Sequence, residues 1–208
     1  MTAVDALARL GEVAVLPVVI IDDAAGAAAL ARDLAEGGVP CAEVTFRTPA
    51  AAEAIKAMAE VPGFLVGAGT VVTPEQVDVA VAAGAAFVVS PGLDDFVATR
   101  AAELGVPYVP GVATATEVMR ARAAGFAVQK LFPAAQLGGA SFVAALAGPF
   151  PDVSFVPSGG VAIGDAASYR LASVLAVSTS WIAPRGDVAA GRHDVVERAR
   201  DFRRAVRP

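Results

Sequence analysis

The chain has 208 residues, of which 56% are hydrophobic, and a formal net charge of −5. This composition excludes an intrinsically disordered protein, and the acidic balance argues against nucleic acid as a partner. The longest apolar run, Val13–Ile21, is about half as long as a membrane-spanning helix, and the first residues lack the positive charge of a signal peptide. We therefore expect a cytoplasmic protein that has no membrane partner.

A short helix, Val4–Gly11, is predicted ahead of a repeat in which apolar strands alternate with alanine-rich helices. The predicted strands are Val15–Ile20, Ala42–Arg47, Phe64–Thr70, Phe87–Ser90, Tyr108–Val112, Val128–Phe132, Ser154–Pro157 and Val174–Thr179. The predicted helices are Ala24–Glu36, Pro49–Ala59, Pro74–Ala83, Asp94–Glu103, Ala115–Ala124, Gly139–Leu146 and a last, amphipathic one, Asp194–Val206.

Eight strands that are mostly apolar on both faces indicate a parallel sheet covered by helices. Because a TIM barrel also contains eight strand–helix units, we predict an α/β fold: a single (β/α)8 TIM barrel over residues 1–208 with an additional N-terminal helix. An open doubly wound sheet is the alternative. It is disfavoured because Ile21-Asp22-Asp23-Ala24 follows the first strand, where a GxGxxG motif would be expected.

The active site of a TIM barrel lies at the carboxyl ends of its strands. Among the polar residues of the predicted strands, Lys130 is the most informative. It lies inside an apolar predicted strand, whereas the only other lysine, Lys56, is on a predicted surface helix. Burial disfavours an ammonium group and leaves more of the neutral amine that Schiff-base chemistry needs. A lysine that reaches the barrel rim, or one that pairs structurally with Glu43, explains the pattern equally well.

Glu43 and Arg47 are four residues apart on the second predicted strand, so their side chains point to the same face. A carboxylate beside a barrel lysine can transfer protons. Arg47 would lie about 13 Å further along the strand, where an arginine can hold a carboxylate with two parallel hydrogen bonds. An internal ion pair without catalytic function is the alternative.

Ser158-Gly159-Gly160 follows the seventh predicted strand, and Ser180 follows the eighth. These positions match the usual phosphate site of a TIM barrel. Adjacent glycines let backbone N–H groups approach a phosphate, and the N-terminus of a following helix would add positive potential. Tight turns use the same residues, so this motif alone is weak evidence.

Histidine and cysteine, two residue types that often bind metal ions, each occur once in the chain. The single histidine, His193, is predicted near the start of the last helix, and the single cysteine, Cys41, is predicted to be a small buried residue. We therefore expect neither an intramolecular disulfide nor a metal site.

A set of motifs at the strand ends resembles a known family. They are Glu43-Val44-Thr45-Phe46-Arg47-Thr48, Gly67-Ala68-Gly69-Thr70-Val71, Ser90-Pro91-Gly92, Pro110-Gly111-Val112-Ala113-Thr114, Lys130-Leu131-Phe132-Pro133-Ala134 and Ser158-Gly159-Gly160. In this order they resemble the bacterial 2-keto-3-deoxy-6-phosphogluconate aldolases, which are also active on 4-hydroxy-2-oxoglutarate. The resemblance runs from about Leu7 to about Pro184.

This resemblance implies a class I aldolase of carbohydrate metabolism, in the Entner–Doudoroff pathway, on a homotrimeric TIM barrel without metal or other cofactor. Lys130 would form the Schiff base with the keto acid, and Glu43 would be the general acid and base. The implied substrate contacts are Arg47, Thr70 and Pro91 at the pyruvate carboxylate, Phe132 beside the pyruvyl group, and Ser158, Gly159, Gly160 and Ser180 at the distal phosphate.

Three features depart from the family pattern. Ser178-Thr179 precedes Ser180 where the family often has glycines, Asp22-Asp23 stands where relatives often carry a basic residue, and Ser158 replaces a threonine. They leave open whether the preferred substrate is phosphorylated and which aldehyde it releases.

Three other functions compete with this hypothesis. They are a phosphate-binding isomerase or epimerase without an imine lysine, a binding barrel without chemistry, and a related pyruvate aldolase with a different aldehyde partner.

Overall fold

The computed structural model describes residues 3–185 and 192–207 of the chain. The strands in these ranges are β1 (Val15–Val19), β2 (Cys41–Thr45), β3 (Leu65–Gly69), β4 (Val88–Val89), β5 (Tyr108–Val109), β6 (Gly111–Val112), β7 (Val128–Leu131), β8 (Ser154–Pro157) and β9 (Val177–Thr179). The α-helices are α1 (Ala3–Val13), α2 (Ala27–Glu36), α3 (Ala51–Ala59), α4 (Pro74–Ala82), α5 (Asp95–Glu103), α6 (Ala115–Ala123), α7 (Gly139–Ala147), α8 (Ile163–Ala166) and α9 (Arg192–Val206).

The strands form a curled parallel sheet in two hydrogen-bonded parts. One part has the order β5-β4-β3-β2-β1-β9, and the other has the order β6-β7-β8. Every pair within them is parallel, and the register aligns Glu43 with Val18 on one side and with Gly67 on the other. The α/β class and the parallel strands agree with the sequence prediction.

Backbone hydrogen bonds link the two parts at both of their junctions. Pro110 interrupts the predicted strand Tyr108–Val112 because proline has no N–H to donate, but its carbonyl accepts a hydrogen bond from the Lys130 N–H at 2.8 Å. At the other junction the Phe155 N–H donates to the Ser173 carbonyl, and the Leu175 N–H donates to the Phe155 carbonyl, at 2.7 and 2.9 Å. These hydrogen bonds join the segment between β5 and β6 to β7, and join β8 to the segment that precedes β9.

The helices bury one apolar face against the strands. In α3 the buried residues are Ala51, Ala54, Ile55 and Met58, a helical spacing that places them on one side. All five residues of each of β1, β2 and β3 are buried, as expected for a sheet whose faces are both covered. Thr114 and Glu117 form a reciprocal capping box at the start of α6.

The sequence prediction missed the helical turn after β8. There the chain forms α8, of only four residues, followed by a 3-10 helix at Ala167–Tyr169, too short for a periodic apolar pattern. The predicted last strand, Val174–Thr179, is also shortened, because only an isolated bridge at Val174 precedes β9. α9 begins at Arg192, next to His193, whose side chain lies outside the described residues.

Cys41 is a fully buried thiol, in agreement with the sequence prediction. Its Sγ donates a hydrogen bond to the Val15 carbonyl at 3.0 Å, and burial raises the pKa of the thiol to about 12. This residue is therefore a structural, unreactive cysteine. In the described part of the chain, no helix combines the length and the apolar character needed to cross a membrane.

Candidate active site

The side chains of Lys130 and Glu43 meet inside the curled sheet. The Lys130 Nζ donates a hydrogen bond to Glu43 Oε1 at 2.9 Å, and the two residues are 5% and 0% exposed. The second carboxylate oxygen, Glu43 Oε2, is buried and has no hydrogen-bond partner among the residues that the structure describes. A buried ion pair with an unsatisfied oxygen is costly for stability, which favours a chemical function for this pair over a purely structural one.

Glycines on β3 provide the space for Glu43. A Cβ atom at Gly69 would lie 2.1 Å from Glu43 Oε1, and one at Gly67 would lie 2.3 Å from the ring of Phe87. Both distances are far below van der Waals contact, so no other residue fits at these positions without displacing its neighbour. In the sequence these glycines are recognisable only as part of a motif, because their steric function depends on packing between strands.

A cavity of about 180 Å³ opens beside Lys130. Seven of the ten predicted site residues line it: Arg47, Lys130, Phe132, Ser158, Gly159, Gly160 and Ser180. Its lining also includes Val18, Ile20 and Thr179. The cavity is thus bounded by residues at and just beyond the carboxyl ends of β1, β2, β7, β8 and β9, where the active site of a TIM barrel is expected.

The amine faces an apolar wall on one side of this cavity. Lys130 Nζ lies 5.6 Å from the centroid of the Phe132 ring, a cation–π distance. Val18 and Ile20 contribute aliphatic surface to the same lining. These groups limit the access of water to the amine and to any carbon bonded to it.

Arg47 and Thr70 are connected next to the cavity. The Arg47 Nε donates a hydrogen bond to Thr70 Oγ1 at 3.3 Å, and Arg47 makes no other hydrogen bond or ion pair with the described part of the chain. Thr70 has a φ of +57°, a strained conformation for a β-branched residue. The terminal nitrogens of Arg47 therefore remain available as hydrogen-bond donors.

Pro91 lies apart from the cavity that contains Lys130. It lines a separate cavity of about 210 Å³ together with Ser90 and Gly92. The Pro91 carbonyl group packs against Gly111, where a Cβ atom would lie 2.2 Å from that carbonyl. Gly111 is in turn the register partner of Lys130 in the sheet. The structure thus places Pro91 against the register partner of Lys130 and outside the lining of the cavity beside Lys130.

The loop after β8 contributes two adjacent glycines to the lining of the cavity. Gly159 and Gly160 have φ angles of +94° and +74°, and a Cβ atom at Gly160 would lie 2.7 Å from Ala135. Their N–H groups donate no hydrogen bond within the described part of the chain. The helix that follows has only four residues, so the dipole contribution that we expected from the sequence is small.

The two aspartates after β1 are engaged outside the cavity. Asp22 accepts two hydrogen bonds from Arg185, at 2.9 and 3.1 Å, and these hydrogen bonds lower the pKa of the Asp22 carboxyl. Asp23 accepts a hydrogen bond from the Ala25 N–H and caps a 3-10 helix at Ala24–Gly26. The charge of Asp22 is therefore neutralised, and neither aspartate lines the cavity.

The serine before Thr179 does not reach the cavity. Ser178 Oγ is fully buried and has no hydrogen-bond partner among the described residues, and nothing in the structure explains this. Elsewhere in the described ranges, no three His, Cys, Asp or Glu side chains are grouped closely enough to hold a metal ion.

Comparison with known proteins agrees with this arrangement. A family model for KDPG and KHG aldolase matches residues 6–199. A 2-dehydro-3-deoxy-phosphogluconate aldolase of Treponema pallidum is 48% identical over 193 residues, which cover 92% of this chain and 90% of the relative.

Two solved structures are similar along almost the whole chain. The 2-keto-3-deoxy-6-phosphogluconate aldolase of Zymomonas mobilis ZM4 with 3-phosphoglycerate has a TM-score of 0.87 at 40% identity, covering 96% of this chain and 94% of that one. The Legionella pneumophila KDPG aldolase, with pyruvate captured as a covalent carbinolamine, has a TM-score of 0.85 at 35% identity, covering 96% and 97%.

The space at Gly69 generates a testable prediction. We expect Gly69→Ala to push Glu43 away from Lys130 and to lower the free energy of unfolding by about 1–3 kcal/mol, the usual cost of overpacking. For a chain of this size that loss equals a Tm decrease of roughly 2–10 °C, which calorimetry would measure.

Gly164→Ala is the matched control, because a Cβ atom there meets nothing within 4 Å and the residue lies in a helix. Its Tm should stay within about 2 °C of the unsubstituted protein. Equal Tm values for both variants would contradict the steric argument for Gly69.

Proposed function

Because the chain belongs to the KDPG and KHG aldolase family, we propose that Lys130 and Glu43 catalyse the Schiff-base cleavage of 2-keto-3-deoxy-6-phosphogluconate to pyruvate and glyceraldehyde 3-phosphate. The enzyme is thus a carbon–carbon lyase, a class I pyruvate aldolase. The observation that carries the proposal is the buried 2.9 Å contact between the Lys130 amine and the Glu43 carboxylate beside the cavity. 4-Hydroxy-2-oxoglutarate, which would yield pyruvate and glyoxylate, is a second substrate of the same chemistry.

The first step forms a covalent bond between enzyme and substrate. Glu43 accepts a proton from the Lys130 ammonium, and the neutral Nζ attacks the C2 carbonyl carbon of the keto acid. Glu43 then returns this proton to the hydroxyl of the resulting carbinolamine, which leaves as water and gives a protonated imine with Glu43 again a carboxylate. The contact between Nζ and Oε1 allows this proton transfer without rearrangement.

The second step breaks the bond between C3 and C4. Glu43, as a base, takes the proton of the C4 hydroxyl, and the electrons of the C3–C4 bond move to the protonated imine, which becomes an enamine. The aldehyde leaves, Glu43 returns a proton to C3, and hydrolysis of the imine releases pyruvate and the free amine. The free Oε2 of Glu43 supports this function, since no donor from residues 3–185 or 192–207 competes for it.

The pyruvate carboxylate would bind to Arg47. Because only the Nε of Arg47 is used by Thr70, the two terminal nitrogens can donate parallel hydrogen bonds to a carboxylate. Phe132, next to the amine, would pack against the pyruvyl group. Pro91 would act indirectly, by supporting the strand next to Lys130 through Gly111.

The phosphate of the substrate would bind at the opposite end of the cavity. Ser158, Gly159, Gly160 and Ser180 line the cavity, and backbone N–H groups in a left-handed turn form a suitable anion site. The pairing of Asp22 with Arg185 removes a negative charge that would otherwise repel an anionic substrate.

The other sequence predictions concern the domain, the barrel and the assembly of the whole protein. Residues 1–208 would form one domain, a closed eight-stranded TIM barrel with an additional N-terminal helix, closed through the hydrogen bonds at Pro110 and Phe155. The family resemblance supports a cytoplasmic homotrimer without metal or other cofactor. An isomerase without an imine lysine is not favoured, because it would leave the contact between Lys130 and Glu43 without a use.

Borohydride trapping tests the proposed function directly. Incubation with pyruvate and borohydride should attach one reduced pyruvate per chain and inactivate the enzyme, because borohydride reduces the imine to a stable amine. Peptide mapping should place the adduct on Lys130, with Lys56, the only other lysine, as the internal control.

Lys130→Arg should abolish trapping, because a guanidinium stays protonated and does not form the imine. EDTA should leave the activity intact, since no step needs a metal ion. An adduct on Lys56 alone, or loss of activity with EDTA, would overturn the Schiff-base assignment.

A substrate comparison tests the phosphate site. Each charge-assisted hydrogen bond contributes roughly 1.5–3 kcal/mol, so kcat/KM should fall at least about 100-fold when the unphosphorylated keto acid replaces the phosphorylated one. Steady-state kinetics of pyruvate release would measure this ratio. Near-equal rates for the two substrates would refute the assignment of Gly159, Gly160 and Ser180.

A further inference from the structure

The Thr179 side chain joins the two loops that bound one end of the cavity. Thr179 is 2% exposed, and its Oγ1 donates a hydrogen bond to the Val161 carbonyl at 2.7 Å. The same oxygen accepts a hydrogen bond from the Trp181 N–H at 3.0 Å. One hydroxyl group thus connects the loop after β8 with the loop after β9.

We propose that Thr179 is a positioning residue that fixes the distance between the Gly159–Gly160 turn and Ser180, and thereby sets the preference for a phosphorylated substrate. The proposal rests on the function proposed above. It assigns to Thr179 no contact with the substrate phosphate, because its hydroxyl proton is already donated to a backbone carbonyl.

The loop after β8 depends on Thr179 for its attachment to the last strand. On the side of β7 the loop is held by two backbone bonds, from the Ala134 N–H to the Ser158 carbonyl at 2.7 Å and from the Ala135 N–H to the Gly159 carbonyl at 3.0 Å. On the side of β9, the bond from Thr179 to Val161 provides the attachment. Because glycines have the largest conformational freedom, this two-sided attachment is needed to hold the turn in one geometry.

The loop after β9 depends on the same hydroxyl. The hydrogen bond from the Trp181 N–H to Thr179 Oγ1 closes a turn between a threonine and the residue two positions later. Ser180 is the middle residue of this turn and is exposed at the cavity. The conformation of Ser180 is therefore set by the residue that also holds the glycine turn.

This double attachment has a selective consequence. An anion that spans the two loops binds more tightly when their donors are already correctly spaced, because less ordering entropy is lost on binding. The contact between Lys130 and Glu43 lies on β7 and β2, so the imine chemistry does not depend on this spacing. Loosening the loops should therefore affect binding of the phosphorylated end and leave pyruvate chemistry unchanged.

The experiment compares two substitutions. Thr179→Val keeps the shape of the side chain and removes both hydrogen bonds, and Thr179→Ser keeps the hydroxyl. For Thr179→Val we expect KM for the phosphorylated keto acid to rise about 10-fold, the effect of losing a buried hydrogen bond or two. Its kcat, its kinetics with the unphosphorylated acid and its rate of pyruvate trapping should stay within about twofold of the unsubstituted enzyme, and Thr179→Ser should restore KM.

Ser90→Ala is the matched control, because Ser90 is also a buried hydroxyl that donates to a backbone carbonyl beyond a neighbouring strand, that of Val71. It should lower Tm and leave the ratio of kcat/KM for the two substrates unchanged. Thr179→Ala is measured alongside Thr179→Val and should show the same KM effect, so that the test does not depend on the folding of one variant.

The outcomes separate this proposal from the one on which it rests. An unsubstituted enzyme that shows no preference for the phosphorylated acid would refute the phosphate site and this proposal together. A normal preference that survives in Thr179→Val, or an equal loss of kcat/KM for both substrates, would overturn the function of Thr179 alone. Failure of Thr179→Ser to restore KM would do the same.

Discussion

Burying an amine against a carboxylate is the constraint on which the rest of the site depends. Removing both groups from water costs several kcal/mol per ion. Lys130 and Glu43 compensate each other only partly, since Glu43 Oε2 has no hydrogen-bond partner in the described part of the chain. Residues next to the pair provide the space and the contacts that it needs. Gly69 leaves the space in which the carboxylate lies, and Phe132 offers its ring face to the ammonium. The proposed chemistry uses what makes this pair unfavourable for stability, an unsatisfied oxygen next to an amine that can lose its proton.

In the proposed function, two groups of residues that line the cavity would recognise the substrate by different physical means. Arg47, which follows β2 and lines the cavity with Lys130, would offer planar donors suited to a carboxylate. At the far end the donors belong to the backbone of the Gly159–Gly160 turn and to hydroxyls, so their geometry depends on how the loops are held. This division separates the electron-accepting chemistry, which is common to all pyruvate aldols, from the recognition of the departing aldehyde.

Sequence patterns predict the α/β class with its parallel strands, and seven of the ten residues that they single out line the cavity beside Lys130. Apolar runs separated by alanine-rich segments predicted the parallel strands, and a lysine inside one such run identified Lys130. The four-residue spacing of Glu43 and Arg47 predicts that both lie on one strand face, but β2 ends at Thr45 and Arg47 lies in the turn that follows it. Contacts between distant segments were not predictable: Asp22 pairs with Arg185 across most of the chain, Pro91 packs on Gly111, and the steric function of Gly69 requires two neighbouring strands. Only tertiary structure brings these residues together.

The central claim is that Glu43 moves the protons for an imine formed on Lys130, and the exchange of pyruvate methyl protons in heavy water tests it most directly. In Glu43→Gln the amide keeps the size of the side chain and a hydrogen bond from Lys130 but cannot accept a proton. Borohydride should still trap pyruvate on Lys130, at a reduced rate, while methyl exchange measured by NMR should fall about 10²–10⁴-fold, the usual contribution of a general acid or base. Undiminished exchange in Glu43→Gln would show that another group moves the proton, and would contradict this account.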